Sequence, residues 1–201
     1  MRRVFVVRHG ETDWNVAKRV QGMADIDLNA VGIEQAAAMA RSLAPELGVN
    51  TTVVASPLGR TRDTALPLAE LLGVPLELDV RLVERAYGIW EGLTDDERKQ
   101  SHPTEHADWA VGKEPLIAGF EGHETVAVRM VAAVNEWLGR TEGDLVTVTH
   151  GSSARMLILD LLGLAHGSLA LGNLGNGAWS EIVRHRADTW TLTRHNLRGS
   201  R

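Results

Sequence analysis

The chain has no cysteine, a single tyrosine and only two phenylalanines among its 201 residues. Without thiols there is no disulfide, no thiolate nucleophile and no zinc site built on sulfur. That absence fits either side of a membrane, so it does not assign a compartment. No apolar run approaches the length of a bilayer span. The first one, Val4–Val7, is short and meets Arg8 at once, unlike the core of a signal peptide. A cytoplasmic protein with no membrane partner is therefore expected. An excess of positive charge is missing too, since 21 Lys and Arg face 26 Asp and Glu for a net charge of -5. Nucleic acid is not an expected partner, and any anionic ligand must be held by a local group of basic side chains. No repeat, linker composition or low-complexity stretch divides the chain. With 44% hydrophobic and 23% charged residues, one compact domain over 1–201 is expected.

What the chain does contain is a matched pair of strand ends. Val4-Phe5-Val6-Val7-Arg8-His9-Gly10 and Leu145-Val146-Thr147-Val148-Thr149-His150-Gly151 are both short apolar runs that finish in His-Gly. As parallel strands of one sheet they bring two imidazoles to its carboxyl edge, where open α/β sheets bind ligands. The intervening pattern agrees with this. Asn29 caps a helix with apolar positions from Ile33 to Leu47, Thr52–Ala55 reads as a buried strand, and Ser56-Pro57 reads as the start of a second helix running toward Gly73. Leu76–Leu78 is a short strand, and Asp79–Gly122 a loop-rich lid or insertion. Val126–Leu138 and Ser152–Leu162 are helices, and Ala178–Arg184 with Thr189–His195 form a closing strand pair. The expected class is α/β, a mostly parallel sheet flanked by helices.

Around the first histidine lie Arg8, Gly10, Glu11-Thr12 and Asn15. Glycine lets the backbone turn or approach a ligand closely, and arginine offers a planar fork of donors suited to phosphate or carboxylate. Glu84, by its own neighbours, reads as a loop carboxylate paired with Arg81 or Arg85.

Arg8-His9-Gly10-Glu11-Thr12, with Asn15 and Gln21-Gly22, resembles the signature of the histidine phosphatase superfamily, which includes the cofactor-dependent phosphoglycerate mutases. Further matches follow in order: Ser56-Pro57-Leu58-Gly59-Arg60 running to Thr64-Ala65, then Glu84, Gly88 and Trp90-Glu91-Gly92, then His150-Gly151. The resemblance implies a phosphoglycerate mutase-like fold and a nucleophilic His9 that becomes phosphorylated. It implies that Arg8, Arg60 and His150 surround the phosphoryl group, with Asn15, Gln21, Gly22 and the Gly151 amide beside it. Glu84 is implied to protonate the leaving oxygen and then activate water. Preorganised positive donors suit the loose transition state of phosphoryl transfer. No metal and no cofactor is implied. His9 must then present an unprotonated nitrogen, its other ring nitrogen fixed by a nearby backbone carbonyl.

Several readings compete. His102-Pro103-Thr104-Glu105-His106 fits the H-x-x-E-H pattern of inverted zinc peptidases, yet its surroundings are polar and supply no third-ligand motif. Gly172–Gly177 is glycine-rich without opening a helix, so it is no nucleotide loop. Running into Ala178-Trp179, it resembles the matching stretch of actinobacterial glucosyl-3-phosphoglycerate phosphatases, with Asn176 at a recurrent family asparagine. Gly119-Phe120-Glu121-Gly122 departs from the family's usual Gly-Gly-Glu-Ser. The modest lid and the end at Arg201 favour a phosphatase over a mutase, and the presence of His9 and Glu84 favours either over a non-catalytic binding protein. The expected partner is a small phosphorylated metabolite; a homodimer is left open.

Overall fold

The computed structural model describes residues 1–186 and 188–200; Ala187 and Arg201, both inside the expected domain, lie outside the described residues. In chain order the strands are β1 (Arg2–Arg8), β2 (Thr52–Ala55), β3 (Leu76–Leu78), β4 (Leu145–Thr149), β5 (Trp179–Arg184) and β6 (Trp190–Leu197). They form one sheet in the order β3-β2-β4-β1-β5-β6. The first four of that order run parallel, and β5 and β6 are antiparallel additions beside β1. The helices are α1 (Asp13–Val16), α2 (Ala30–Leu43), α3 (Gly59–Leu72), α4 (Asp95–Ser101), α5 (Pro103–Ala110), α6 (His123–Arg140) and α7 (Gly151–Leu161).

The continuous apolar runs of β1 and β4 follow from burial on both faces. Val4 and Val6 pack with α6 and α7, through Met130, Val134, Leu157 and Ile158. Phe5 and Val7 point the other way, onto Met39, Leu43 and Leu68 of α2 and α3. This makes three layers, helix, sheet and helix, as expected for the α/β class. The β1–β4 register pairs Arg8 with Thr149, so His9 and His150 leave the sheet side by side.

Three local expectations are corrected. Proline interrupts α2 at Leu43, because Pro45 has no N–H to continue the ladder, and a single 3-10 turn covers Ala44–Glu46. α3 begins at Gly59 rather than at Pro57: Asp25, from another loop, accepts from the Gly59 amide at 2.8 Å and takes over the capping role. Ser56 is thereby released for the site described below. The stretch from 79 to 122 is not simply loop. It carries α4, opened by a Thr94/Glu97 capping box, and α5, opened by Pro103, besides two 3-10 turns. Both helices are too short and polar to show a clear period. What anchors the segment is an aromatic cluster, in which Tyr87, Trp90, Trp109 and Phe120 meet edge to face with ring centres 5.7–6.4 Å apart. Among the described residues no helix is long and apolar enough to cross a membrane.

Candidate active site

The carboxyl edge of β1 and β4 opens into a cleft of about 160 Å³ lined by Arg8, His9, Asn15, Arg60, Glu84 and Gly151, with Gln21, Gly22 and Tyr87 around them. His9 is reached through a tight turn. The Gly10 amide donates to Thr64 Oγ1 at 2.9 Å, and a Cβ on Gly10 would sit 2.5 Å from the Gly32 carbonyl oxygen, so the close approach to α2 requires glycine. This turn settles the tautomer. His9 Nδ1 lies 2.6 Å from the Gly10 carbonyl oxygen, which can only accept, so Nδ1 carries the proton and Nε2 keeps its lone pair. The acceptor that sequence reasoning left open is the next residue's own carbonyl.

The arginines are held by backbone oxygens rather than by carboxylates. Arg60 is fully buried and donates through Nη1 to Ala24 O at 2.6 Å and through Nη2 to Gly22 O at 2.9 Å. Arg8 donates through Nη1 to Leu174 O at 2.6 Å, and its Nε has no partner. Neutral anchors leave the positive charge uncompensated at the cleft, which suits an anionic ligand despite the acidic balance of the whole chain. Arg62, two residues from Arg60, is exposed.

His150 departs from the role implied for it. Its Nδ1 accepts from Arg60 Nε at 3.2 Å, so its proton is on Nε2, which is directed to Ser56 Oγ at 2.9 Å. Both ring nitrogens are thus committed, and the side chain lies behind the cleft rather than on its lining. Its ring centre stands 5.3 Å from that of His9. The two imidazoles do meet, but in this arrangement His150 braces Arg60 instead of facing a ligand.

Glu84 faces the cleft from the other wall. Its Oε1 accepts from the amides of Arg85 and Ser153 at 2.8 and 3.0 Å and from Ser153 Oγ at 3.1 Å, while Oε2 accepts only from the Ser152 amide at 3.1 Å. The first turn of α7 therefore grips the carboxylate. Oε2, with one protein donor, is the oxygen left for proton traffic. The expected pairing with Arg81 or Arg85 is not made: Arg81 binds Asp79 and Glu136, and Arg85 has no partner. Gly151 is left to line the cleft, where a Cβ would touch the Arg8 guanidinium at 3.4 Å.

Asn15 Oδ1 accepts from the Thr12 amide, Thr12 Oγ1 and Asn176 Nδ2 at 3.0–3.1 Å, which leaves its own amide nitrogen for the cleft. Asn176 Nδ2 also reaches the His9 and Gly10 carbonyls at 3.2 and 3.1 Å. It ties the loop after β1 to the strand pair. Gly22 adopts a left-handed φ of +54°, and a Cβ there would lie 2.1 Å from Glu91 Oε1. Glu91 is structural, accepting from the Tyr87 and Met23 amides. Sequence reasoning missed Arg19, Ser152 and Asn173 on the cleft lining and Ser56 behind it. No local pattern marks these four, because each arrives from a separate loop or turn. Tyr87 was noted only as an aromatic; burial pushes its hydroxyl up to about 12, so it remains a donor. His102 and His106 bond to Ser101 and Asp95, and among the described residues no group of three or more His, Cys, Asp or Glu is placed to hold a metal.

Burial, and next to it the positive charge of Arg8 and Arg60, holds His9 well below the usual imidazole range. Burial and Arg60 do the same to His150, and burial lowers His123 to about 4. These histidines are neutral in the folded protein near pH 7. Each binds its proton more readily once unfolded, so stability rises with pH in this window. It is complete above about pH 6.5 and is lost on acidification, by up to about 1.4 kcal/mol per pH unit for each histidine. The midpoint of thermal unfolding is expected to fall between pH 6.5 and 5, above the range in which carboxylates titrate. A midpoint that stays level there would contradict the neutral buried histidines.

A family model for the histidine phosphatase superfamily, branch 1, matches residues 4–198. The chain belongs to the histidine phosphatase superfamily. It is 35% identical over 196 residues to glucosyl-3-phosphoglycerate phosphatase of Mycobacterium tuberculosis, covering 92% of this chain and 87% of that protein. It is 36% identical over 170 residues to a probable phosphoglycerate mutase of an Enterobacter strain, covering 82% and 76%. The structure of mycobacterial glucosyl-3-phosphoglycerate phosphatase complexed with VO3 superposes with a TM-score of 0.89 at 32% identity, over 98% of this chain and all of that one. Membership of this histidine phosphatase family, and phosphatase relatives along nearly the whole chain, make it a phosphatase.

Proposed function

We propose that the chain is a metal-independent phosphomonoester hydrolase that works through a phosphohistidine on His9. The observation that carries this reading is the Nδ1 contact with the Gly10 carbonyl, which leaves a neutral, unprotonated Nε2 in a cleft walled by arginine and a carboxyl group. Arg8, Arg60 and the Asn15 amide hold the phosphoryl oxygens, with Gln21, Gly22 and the Gly151 amide at the margin. His150 acts through Arg60 as a positioning residue. In the first step His9 Nε2 bonds to phosphorus as the ester P–O bond breaks, and Glu84 gives its proton to the leaving oxygen. In the second, water attacks phosphorus, Glu84 takes a proton from it, and the N–P bond breaks to release phosphate. The segment from 79 to 122, which carries Glu84 and Tyr87, serves as the lid.

The similarity along the chain and the stretch Gly172–Trp179 make glucosyl-3-phosphoglycerate the first substrate to test, with other small phosphate esters next. A panel of esters assayed with a chelator present decides the class. Phosphate release insensitive to the chelator is the expected result. Loss of activity on chelation would overturn the metal-free mechanism. Interconversion of phosphoglycerates with little phosphate freed would make the enzyme a mutase, and no turnover of any ester would leave a phospho-ligand binding protein.

A further inference from the structure

Beside the cleft is a second cavity, of about 240 Å³, lined by Trp109, His123, Arg155, Leu169, Leu171 and Asn173. Asn173 also lines the cleft, so one ligand can reach from one to the other across it. Arg155 is set in place by its surroundings: Nε donates to Leu171 O at 2.9 Å and Nη2 to Ser168 O. Nη1 has no protein acceptor among the described residues. Behind the Trp109 wall sits Arg85, fully buried, with none of its three guanidinium nitrogens hydrogen-bonded. Its guanidinium carbon stands 5.5 Å from the centre of Trp109 and 5.1 Å from that of Phe120. Phe120 is the residue that departs from the family's Gly-Gly-Glu-Ser, and here it completes this aromatic seat.

The carboxylates nearby do not neutralise these arginines. Glu121 is paired with Arg129, Glu84 is gripped by α7, and Glu114 binds the His123 amide and faces its ring at 3.4 Å. His123 is neutral. Two positive charges therefore bear on a pocket whose other walls are largely apolar, a setting that favours one compact anion attached to a small organic group. A second phosphoryl group would need several converging donors, as in the cleft, and this cavity offers one free guanidinium nitrogen.

We propose that this cavity is the subsite for a carboxylate on the alcohol portion of the substrate, bound by Arg155, so that the preferred substrates are phosphate esters of hydroxy acids. The proposal rests on the phosphatase reading of the adjoining cleft. The test compares 3-phosphoglycerate with glycerol 3-phosphate, which carries a hydroxymethyl group where the former has its carboxylate. Wild-type enzyme is expected to favour 3-phosphoglycerate in kcat/KM by about 10- to 100-fold, the worth of one hydrogen-bonded charge. Arg155→Gln is expected to abolish that preference through KM and to leave glycerol 3-phosphate within about twofold. Because Arg155 also holds the Ser168–Leu171 loop, Leu169→Glu is the second variant. Leu169 is 68% exposed at the cavity wall, so the new charge repels the carboxylate without disturbing the core. Equal losses on both esters in both variants, or no preference in the wild type, would overturn the subsite. Calorimetric binding of both esters is read alongside turnover. Absence of turnover with the binding preference intact counts against the phosphatase reading and supports the carboxylate site.

Discussion

Replacing His9 with alanine is expected to lower kcat on every phosphate ester by on the order of 10⁴-fold or more, because the variant has no group to form the N–P bond. The effect should be independent of leaving group, and the phosphoenzyme should vanish with it. Wild-type protein quenched during turnover should hold acid-labile, base-stable phosphate, as phosphohistidine does, and His9→Ala should hold none. Stability should change little by comparison. The imidazole is buried, but the Gly10 carbonyl it bonds also accepts from Asn176 Nδ2 at 3.1 Å and is not orphaned by the change. Turnover near the wild-type rate in His9→Ala would remove the nucleophile assignment, whatever the ester.

The second large effect is expected from Glu84→Gln, and it should depend on the leaving group. Loss of a general acid lowers the rate by about 10²–10⁴-fold for alkyl esters, whose alkoxides need a proton, and much less for p-nitrophenyl phosphate, whose phenolate does not. With the nitrophenyl ester the first step survives, so phosphohistidine should accumulate as hydrolysis of the intermediate slows. The substitution also has a structural cost. Oε1 and Oε2 of Glu84 together accept from the Arg85, Ser152 and Ser153 amides, and a glutamine must turn its NH₂ toward at least one of these donors. About 1–3 kcal/mol of stability is at stake, read as a lower unfolding midpoint. An equal rate loss on alkyl and nitrophenyl esters, with no phosphoenzyme build-up, would move Glu84 from proton transfer to a purely structural role.

How much of the site was legible depended on whether its residues sit next to a strand end or arrive from afar. His9 and its flanking Arg8 follow directly from a buried strand running into glycine, and Arg60 was separable from Arg62 by its spacing from Ser56. The orientation of His9 was not legible, since the acceptor is a backbone carbonyl and every residue has one. Ser56 misled local reasoning. It reads as a helix cap, but Asp25 caps that helix at Gly59, and Ser56 binds His150 instead. The stretch from 79 to 122 hid two helices because their hydrogen bonds and caps, rather than an apolar period, define them.

From sequence alone came the α/β class, the parallel placement of the two His-Gly strand ends and the identity of most cleft residues. These depend on period, on burial of both sheet faces and on short ordered motifs, all written along the chain. The tertiary structure alone decided the division of labour between the two histidines. Each ring nitrogen takes its role from whatever polar group lies within about 3 Å, and that neighbour is Gly10 for one and Arg60 with Ser56 for the other. It alone also brought Arg155, Asn173 and the buried Arg85 around a second cavity, from segments too far apart in the chain for any pattern to join.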